Sequence, residues 1–375
     1  MRIGFLNSIE SQTYGGMEEW IRLVSDGLVK RGHEVTLVGR KNSEYLRRSA
    51  SVNKAIRAVP LNIGGDFNPA TIMKIKKLIR TNKLDLLSVN FNKDIRLGGL
   101  AARMLGEIPV IWSVGINITK DKMIHRNLTP KLIDGIIVPS HSLKGELVTS
   151  GYLDEKIIRV IPIGINLPQS VADKKIAAEN LREKYNLPKN ATVAVTVGRY
   201  VYKKAHEFLI GAIPDLIKKH PELYFIFVGD GPKRDTYQSQ AKKLGVVDRI
   251  VMTGQLDDIT LELAGADLMI HPSKEEPFGI VLLEGMSYGL PIAASRVGGI
   301  PEVVLEGETA LLFEPENSRS LFTIVDRLLS DQKMMKRFSE NGPVRVRDGF
   351  HYDLMIDRVE TYLLGACKAN FRAGV

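Results

Sequence analysis

A single cysteine, Cys367, excludes an internal disulfide and any cysteine-rich metal site, and makes a reducing, cytoplasmic setting the default expectation. No apolar run approaches the roughly 20 residues of a membrane span. The opening Met1-Arg2-Ile3-Gly4-Phe5-Leu6 is too short an apolar stretch for a signal peptide and reads as a first strand. Aromatics are only 7% and no binding motif accompanies the basic residues, which argues against a nucleic-acid partner. The G-x-G-x-x-G fingerprint of dinucleotide binding is absent. So are a D-x-D motif and any His/Cys/carboxylate cluster spaced to hold a metal.

What is present is ordinary in amount and uneven in place. With 375 residues, 44% apolar and 25% charged, the chain has the length of two globular domains. Residues 1–165 carry 25 Lys and Arg against 15 Asp and Glu; the remainder carries 27 against 28. The surplus therefore belongs to the first half. It clusters at Lys41, Arg47, Arg48, Lys54 and Arg57, and again at Lys74, Lys76, Lys77, Arg80 and Lys83. Each cluster alone is what a solvated helix face looks like; together they suggest an anionic partner such as a membrane surface or a phosphorylated acceptor.

The stretch from Ala266 to Val304 organises the rest. Leu268-Met269-Ile270 reads as a buried strand stopped by His271-Pro272-Ser273. A loop with Glu276, Pro277, Phe278 and Gly279 leads into an apolar helix that begins at Ile280 and carries Glu284, and Pro291 to Ser295 reads as the next strand. Strand, loop, helix, strand is a βαβ unit, and open α/β sheets bind ligands at the edge where such loops lie. Backbone N–H groups near Gly279 have no partner inside the first helical turn and make an anion seat. Glu276 and Glu284 flank that seat, placed to accept from hydroxyl groups at either end of a phosphate-bearing ligand.

The same alternation runs along the whole chain. Strands are expected at Arg2 to Asn7, Glu34 to Val38, Leu84 to Val89, Pro109 to Ser113, Gly135 to Ser140 and Ile157 to Asn166, with helices at 17–30, 70–82 and 95–105. Gly15-Gly16 lies just before the first helix, where backbone approaches a ligand closely. A linker is placed near Leu167. The pattern then restarts with strands at Ala191 to Val197, Phe225 to Gly231, Arg249 to Gly254 and Ala310 to Phe313, and helices at 205–219, 258–264, 317–330, 331–341 and 351–366. Arg199 and Lys204 sit in the loop that follows the first of these strands.

Ser273-x-x-Glu276-x-Phe278-Gly279 followed by Glu284, an E-x7-E spacing, resembles the signature of family-4 retaining glycosyltransferases. Gly289-Leu290-Pro291, Gly298-Gly299-Ile300-Pro301-Glu302, the Gly198-Arg199 to Lys204 loop and the Gly15-Gly16 loop extend the likeness over nearly the whole chain. The resemblance implies an α/β protein of the GT-B fold: two doubly wound, Rossmann-like domains facing a cleft. Residues 1–167 would form an acceptor-side domain and 168–350 a nucleotide-sugar-binding domain, with a helix in 351–375 crossing back to the first. It further implies transfer of a hexosyl or heptosyl group from a nucleotide-diphospho-sugar with retention of configuration, with no metal and no cofactor beyond that donor substrate.

By the same resemblance Arg199 and Lys204 hold the diphosphate, Glu284 the ribose and Glu276 the transferred sugar. Gly15 and Gly16 lie under the donor phosphates, Gly254 faces the base, Gly279 and Ile280 form the anion seat and Phe278 supports the loop. Two positions depart from the family pattern. Ala205 replaces a usual glycine, and Trp112-Ser113-Val114-Gly115 lacks the histidine often found there, leaving His125 and His141 as substitutes to examine. The basic first half favours a glycolipid, lipopolysaccharide or other surface-glycan acceptor met at the inner face of a membrane. A soluble sugar transferase with a small acceptor and a non-catalytic sugar-nucleotide-binding protein are the alternatives.

Overall fold

The computed structural model describes residues 1–9, 14–106, 108–115, 123–168 and 173–368. The chain divides into two compact units, Met1–Gly164 with the segment from Tyr352 onward, and Ile165–His351. The division falls at Gly164/Ile165, against an expected boundary at Leu167; part of the expected linker and residues 369–375 of the expected terminal segment lie outside the described residues.

The first unit is built on seven parallel strands: β1 (Arg2–Asn7), β2 (Glu34–Arg40), β3 (Arg57–Leu61), β4 (Leu86–Val89), β5 (Val110–Ser113), β6 (Gly135–Val138) and β7 (Ile158–Val160). They lie in the order β3-β2-β1-β4-β5-β6-β7. The inner strands are buried on both faces, which is why they read as unbroken apolar runs rather than alternating ones. Trp20, Ile21, Val24 and Leu28 are buried along one face of the Gly16–Lys30 helix, as their spacing predicts.

The Tyr352–Lys368 helix belongs to this unit and packs on the Gly16–Lys30 helix. A Cβ on Gly27 would lie 2.6 Å from Ile356, so the glycine sets how closely the two helices meet. Tyr352 Oη donates to Leu23 O (3.2 Å), and Glu360 takes both Arg31 (2.6 Å) and His33 (2.7 Å).

The second unit has six parallel strands: β8 (Thr192–Val197), β9 (Leu223–Val228), β10 (Ile250–Gly254), β11 (Leu268–His271), β12 (Ile292–Ser295) and β13 (Ala310–Phe313). Their order is β10-β9-β8-β11-β12-β13. Numbered within the unit this is 3-2-1-4-5-6, a doubly wound sheet whose direction of winding reverses between β8 and β11. The loops leaving those two strands therefore diverge around a crevice, and they are the loops that hold Arg199 and Lys204 on one side and Glu276 on the other.

Several expectations need correction. β3 and the Glu44–Ser51 helix were not expected. β3 is half-exposed and carries Pro60, so it lacks the apolar run that marks a buried strand. The apolar segment after Ile157 yields only three strand residues, with Ile165 bridging to His351. The helix expected over 331–341 instead runs Gln332–Gly349 through Pro343. Packing decides that: Gly342 sits against the backbone of Met286, where a Cβ would be 2.9 Å from its carbonyl, and this contact outweighs the bond a proline cannot donate.

Candidate active site

At the end of β8 the chain passes Gly198 and Arg199, buries Tyr200, makes a single 3-10 turn at Tyr202–Lys204 and enters the His206–Lys219 helix through Ala205. Tyr200 anchors this loop from below: its hydroxyl donates to Phe227 O (2.8 Å) and its ring packs edge-on to Tyr237 and His206. Ala205 occupies the left-handed region at φ 52° and ψ 33°. A Cβ there costs about 1–2 kcal/mol, a penalty that a glycine would avoid.

The loop after β11 is tied to the first one. Lys274 N and Glu275 N both donate to Lys203 O (2.8 and 3.4 Å), and Ser295 Oγ donates to Ser273 O (2.5 Å). Phe278 is buried edge-on against Phe350, 5.9 Å between ring centres, so it holds the loop and is turned away from solvent. Gly298 and Gly299 back the loop directly. Gly299 N donates to Glu276 O (2.9 Å), and a Cβ on Gly298 would come within 2.1 Å of that same oxygen.

These contacts deliver Glu276 to a defined place. Its Oε2 receives Lys204 Nζ, His271 Nε2 (2.9 Å) and, more weakly, Ser273 Oγ (3.4 Å). Burial by itself would raise the Glu276 carboxyl; the adjacent Lys204 ammonium and the His271 bond reverse this and hold it down at about 2. Burial pushes the His271 imidazole below its ordinary value although Glu276 pulls the other way. The two shifts agree on one protonation pattern: neutral His271 donates Nε2–H to an ionised Glu276.

Arg199 stands exposed at the same sheet edge, and its guanidinium makes no hydrogen bond or ion pair among the described residues. Gly279, at φ 102°, caps the Ile280–Ser287 helix, whose first N–H groups point toward the loop. Ile280 opens that helix, and half-buried Glu284 lies further along it. Gly254 closes β10 at φ 76° and accepts from Gly229 N (3.0 Å), at the carboxyl edge of the same sheet.

The structure thus brings Lys204 and Glu276 into contact, sets Arg199 on the Lys204 loop and Gly279, Ile280 and Glu284 on the Glu276 helix, and puts Gly254 two strands from β8. Gly15 and Gly16 are in the first unit, where Gly15 N donates to Glu18 Oε2 (3.0 Å) and Gly16 starts a helix. His125 and His141 are also there; His125 Nδ1 meets Arg96 Nη1 (2.9 Å), and His141 begins a helix behind the Ser140 cap. Among the described residues no group of three metal-ligating side chains converges. Sequence reasoning missed His271, which it read only as a strand stop, and placed Ser273 in the motif without giving it a role. The available signal was a histidine at the carboxyl end of a switch-point strand, five residues before an acid.

Residues 177–345 match the family described as Glycosyl transferases group 1, and residues 14–169 match Glycosyltransferase Family 4. The lipopolysaccharide core biosynthesis glycosyltransferase LpsE of Rhizobium meliloti is 30% identical over 88% of this chain and 89% of its own length. The chain is a group 1 glycosyltransferase. The N-acetyl-alpha-D-glucosaminyl L-malate synthase of Bacillus anthracis is another relative of this glycosyltransferase, 29% identical over 89% of this chain and 90% of its own.

Among solved structures, a glycosyltransferase from Rickettsia africae superposes with a TM-score of 0.85 at 22% identity, covering 98% of this chain and 99% of that one. HepE of Anabaena, solved with UDP-glucose, superposes with a TM-score of 0.85 at 20% identity over 97% and 100%. The glycosyltransferase described here thus has the GT-B fold, two Rossmann-like units each with a parallel sheet.

Proposed function

We propose that this glycosyltransferase moves a sugar from a nucleoside-diphosphate donor to a hydroxyl of a glycolipid, lipopolysaccharide or other surface-glycan acceptor, with retention of configuration and without a metal or further cofactor. The observation that carries the reading is the Lys204–Glu276–His271 network at the β8/β11 crevice, with Arg199 unpaired beside it. The bond between the anomeric carbon and the diphosphate oxygen breaks, and negative charge grows on the departing phosphate. Arg199 offers a planar fork and Lys204 a point charge where that growth occurs, aided by the dipole of the Ile280–Ser287 helix. The acceptor oxygen bonds to the anomeric carbon, and its proton passes to the leaving phosphate.

Glu276, ionised at all physiological pH, accepts hydroxyls of the transferred sugar, and Glu284 accepts the ribose hydroxyls. Gly15 and Gly16 serve the donor phosphates, and Gly254 the base. The relatives support the acceptor class by analogy: LpsE is named for lipopolysaccharide core synthesis, and a Mycolicibacterium smegmatis relative, 26% identical over 95% of this chain, is a GDP-mannose-dependent phosphatidylinositol monomannoside mannosyltransferase. Among the described residues no helix is long and apolar enough to cross a membrane. A cytoplasmic enzyme working peripherally at the inner membrane face fits the basic first unit. A soluble transferase with a small acceptor is the second reading, favoured by the malate synthase relationship.

A thermal-shift panel of UDP-, GDP- and ADP-sugars tests the donor. One nucleotide class raises Tm by mass action, and Lys204→Ala or Glu284→Ala abolishes that shift. No shift with any of them, or equal shifts in both variants, removes the site.

A further inference from the structure

Lys274 fills the first unspecified position of the Ser273-x-x-Glu276 motif, and the donor site as proposed gives it no part. It is nevertheless a buried lysine, its side chain only 10% exposed, and the fold surrounds it with partners. Nζ lies 3.7 Å from the centre of the Tyr202 ring and 4.7 Å from that of Phe208. Glu316 pairs with it at 2.8 Å and Glu207 at 3.7 Å. A buried ammonium needs such company, because an unpaired charge out of water is costly. Glu316 presents its carboxylate from a left-handed backbone, φ 58°, and the 59% exposed Tyr202 covers the lysine.

These partners come from three places at the carboxyl edge of the second sheet. Tyr202 is on the turn after β8, Glu207 and Phe208 are on the helix that follows it, and Glu316 is on the loop after β13. Lys274 itself stands on the loop after β11. Its main chain grips the same turn, since Lys274 N and Glu275 N donate to Lys203 O (2.8 and 3.4 Å). Lys204 follows Lys203 on that turn, and Glu276 lies two residues beyond Lys274. A second tether, Lys203–Glu275, also joins the two loops, but its side chains are 45% and 36% exposed and water screens it. The strength of the clasp therefore rests with Lys274.

We propose that Lys274 is a positioning residue for glycosyl transfer: it holds the Glu276 loop against the Lys204 loop while the donor occupies the space between their charged ends. The assignment rests on the reading of Glu276 and Lys204 as donor groups. On that reading the donor separates Lys204 from Glu276, and the ion pair joining the loops opens. A clasp that uses neither group must then keep the two at the spacing a sugar and its diphosphate demand, because a displacement of about 1 Å can cost roughly 10²-fold in rate. Glu207, Glu316, Tyr202 and Phe208 have no donor role on this reading, so the clasp stays shut as the site fills. A compact ammonium on a flexible stem reaches both carboxylates from between the two rings.

The test uses the full chain and four variants. Lys274→Met keeps the stem and removes the charge, Lys274→Arg keeps the charge, Glu316→Gln weakens the pair from its exposed side, and Lys203→Met removes the other tether. By amide hydrogen exchange without donor, the segment 272–279 is expected to lose protection at least tenfold in Lys274→Met and about two- to fivefold in Glu316→Gln. It should stay within twofold of the wild type in the other two. Calorimetry then compares UDP-glucose with UDP, GDP-mannose with GDP and ADP-glucose with ADP. For the pair that the wild type binds, the sugar conjugate should bind Lys274→Met at least tenfold more weakly and the nucleoside diphosphate within threefold, with Lys274→Arg restoring the conjugate to within threefold. Should Lys274→Met not fold, Glu316→Gln carries the same comparison at about two- to fivefold. The proposal is overturned if the segment stays protected, if Lys203→Met loosens it as much, or if arginine restores nothing. It is equally overturned if conjugate and nucleotide weaken together, as a general loss of structure would make them. A wild type that binds none of the six, or a Glu284→Ala variant that binds nucleotide undiminished, sinks the donor reading and with it the role in transfer, while exchange still reads the clasp by itself.

Discussion

Lys204 and Glu276, 72 residues apart in sequence, form a direct ion pair across the two loops that leave β8 and β11. The proposed roles assign one to the donor diphosphate and the other to the transferred sugar, so the ligand must enter between groups already engaged with each other. On those roles Lys204 would exchange a carboxylate for a phosphate, while Glu276 would keep His271 and Ser273 and stay aimed. Glu276→Gln should therefore lower kcat about 10²–10³-fold, the scale of a lost transition-state contact. Lys204→Ala should raise the donor KM as well. In the double variant the losses should be less than additive, and full additivity in steady-state kinetics would show that the pair does not act as a unit.

His271 is buried and bonds Glu276, so under the proposed roles it positions that carboxylate rather than touching substrate. Removing one hydrogen bond to a charged group costs roughly 1.5–3 kcal/mol. His271→Ala should lower kcat about tenfold to a hundredfold. His271→Gln, whose amide reaches the same point with an N–H, should recover most of that. If Ala and Gln variants are equally impaired, the histidine acts through core packing alone.

Ala205 sits in a backbone region that penalises a Cβ. Ala205→Gly removes about 1–2 kcal/mol of strain and adds back roughly 0.4–1 kcal/mol of chain entropy. A net gain of up to about 1.5 kcal/mol in denaturant-unfolding free energy should follow. A loss of stability would mean that the buried methyl group contributes more than the strain costs.

His206 is buried among Tyr200, Phe227 and Tyr237 with neither ring nitrogen hydrogen-bonded among the described residues, and burial pushes its imidazole down to about 3. Its native pKa is below the unfolded value, so the unfolded chain binds the extra proton and stability falls as pH drops from about 6.5 toward 3. His206→Phe keeps the shape and removes the titration. The slope of unfolding free energy against pH between 4 and 6.5 should flatten, with stability at pH 8 unchanged or higher.

Asp94 has the opposite sign. It is fully buried, Oδ2 accepts from Phe91 N (2.9 Å), Oδ1 has no hydrogen-bond partner among the described residues, and burial, only partly offset by Ser8, Phe91 and Asn90, raises its carboxyl to about 7. The native state then holds a proton that the unfolded state has lost, so stability falls as pH rises from about 4 to 7. Asp94→Asn should remove that decline and make the variant the more stable protein at pH 8, measured by chemical denaturation.

The sequence displays the sheets because buried parallel strands such as Thr192–Val197 are apolar without interruption, and it displays the acids because Glu276 and Glu284 sit in one short stretch. It hides whatever depends on the third dimension. β3 is an edge strand with a proline and no apolar run. The Gln332–Gly349 helix crosses Pro343 because Gly342 has Met286 to pack on. His271 reads as the end of a strand until folding turns its ring onto Glu276.

The Tyr352–Lys368 helix gives the protein an unusual birth order. It completes the packing of the first unit, yet it leaves the ribosome only after all of Ile165–His351 has been made. The part synthesised earliest must wait with the Gly27 groove open while the later part folds ahead of it, and nascent-chain capture before residue 352 should find the second unit protease-resistant and the first one still cleavable.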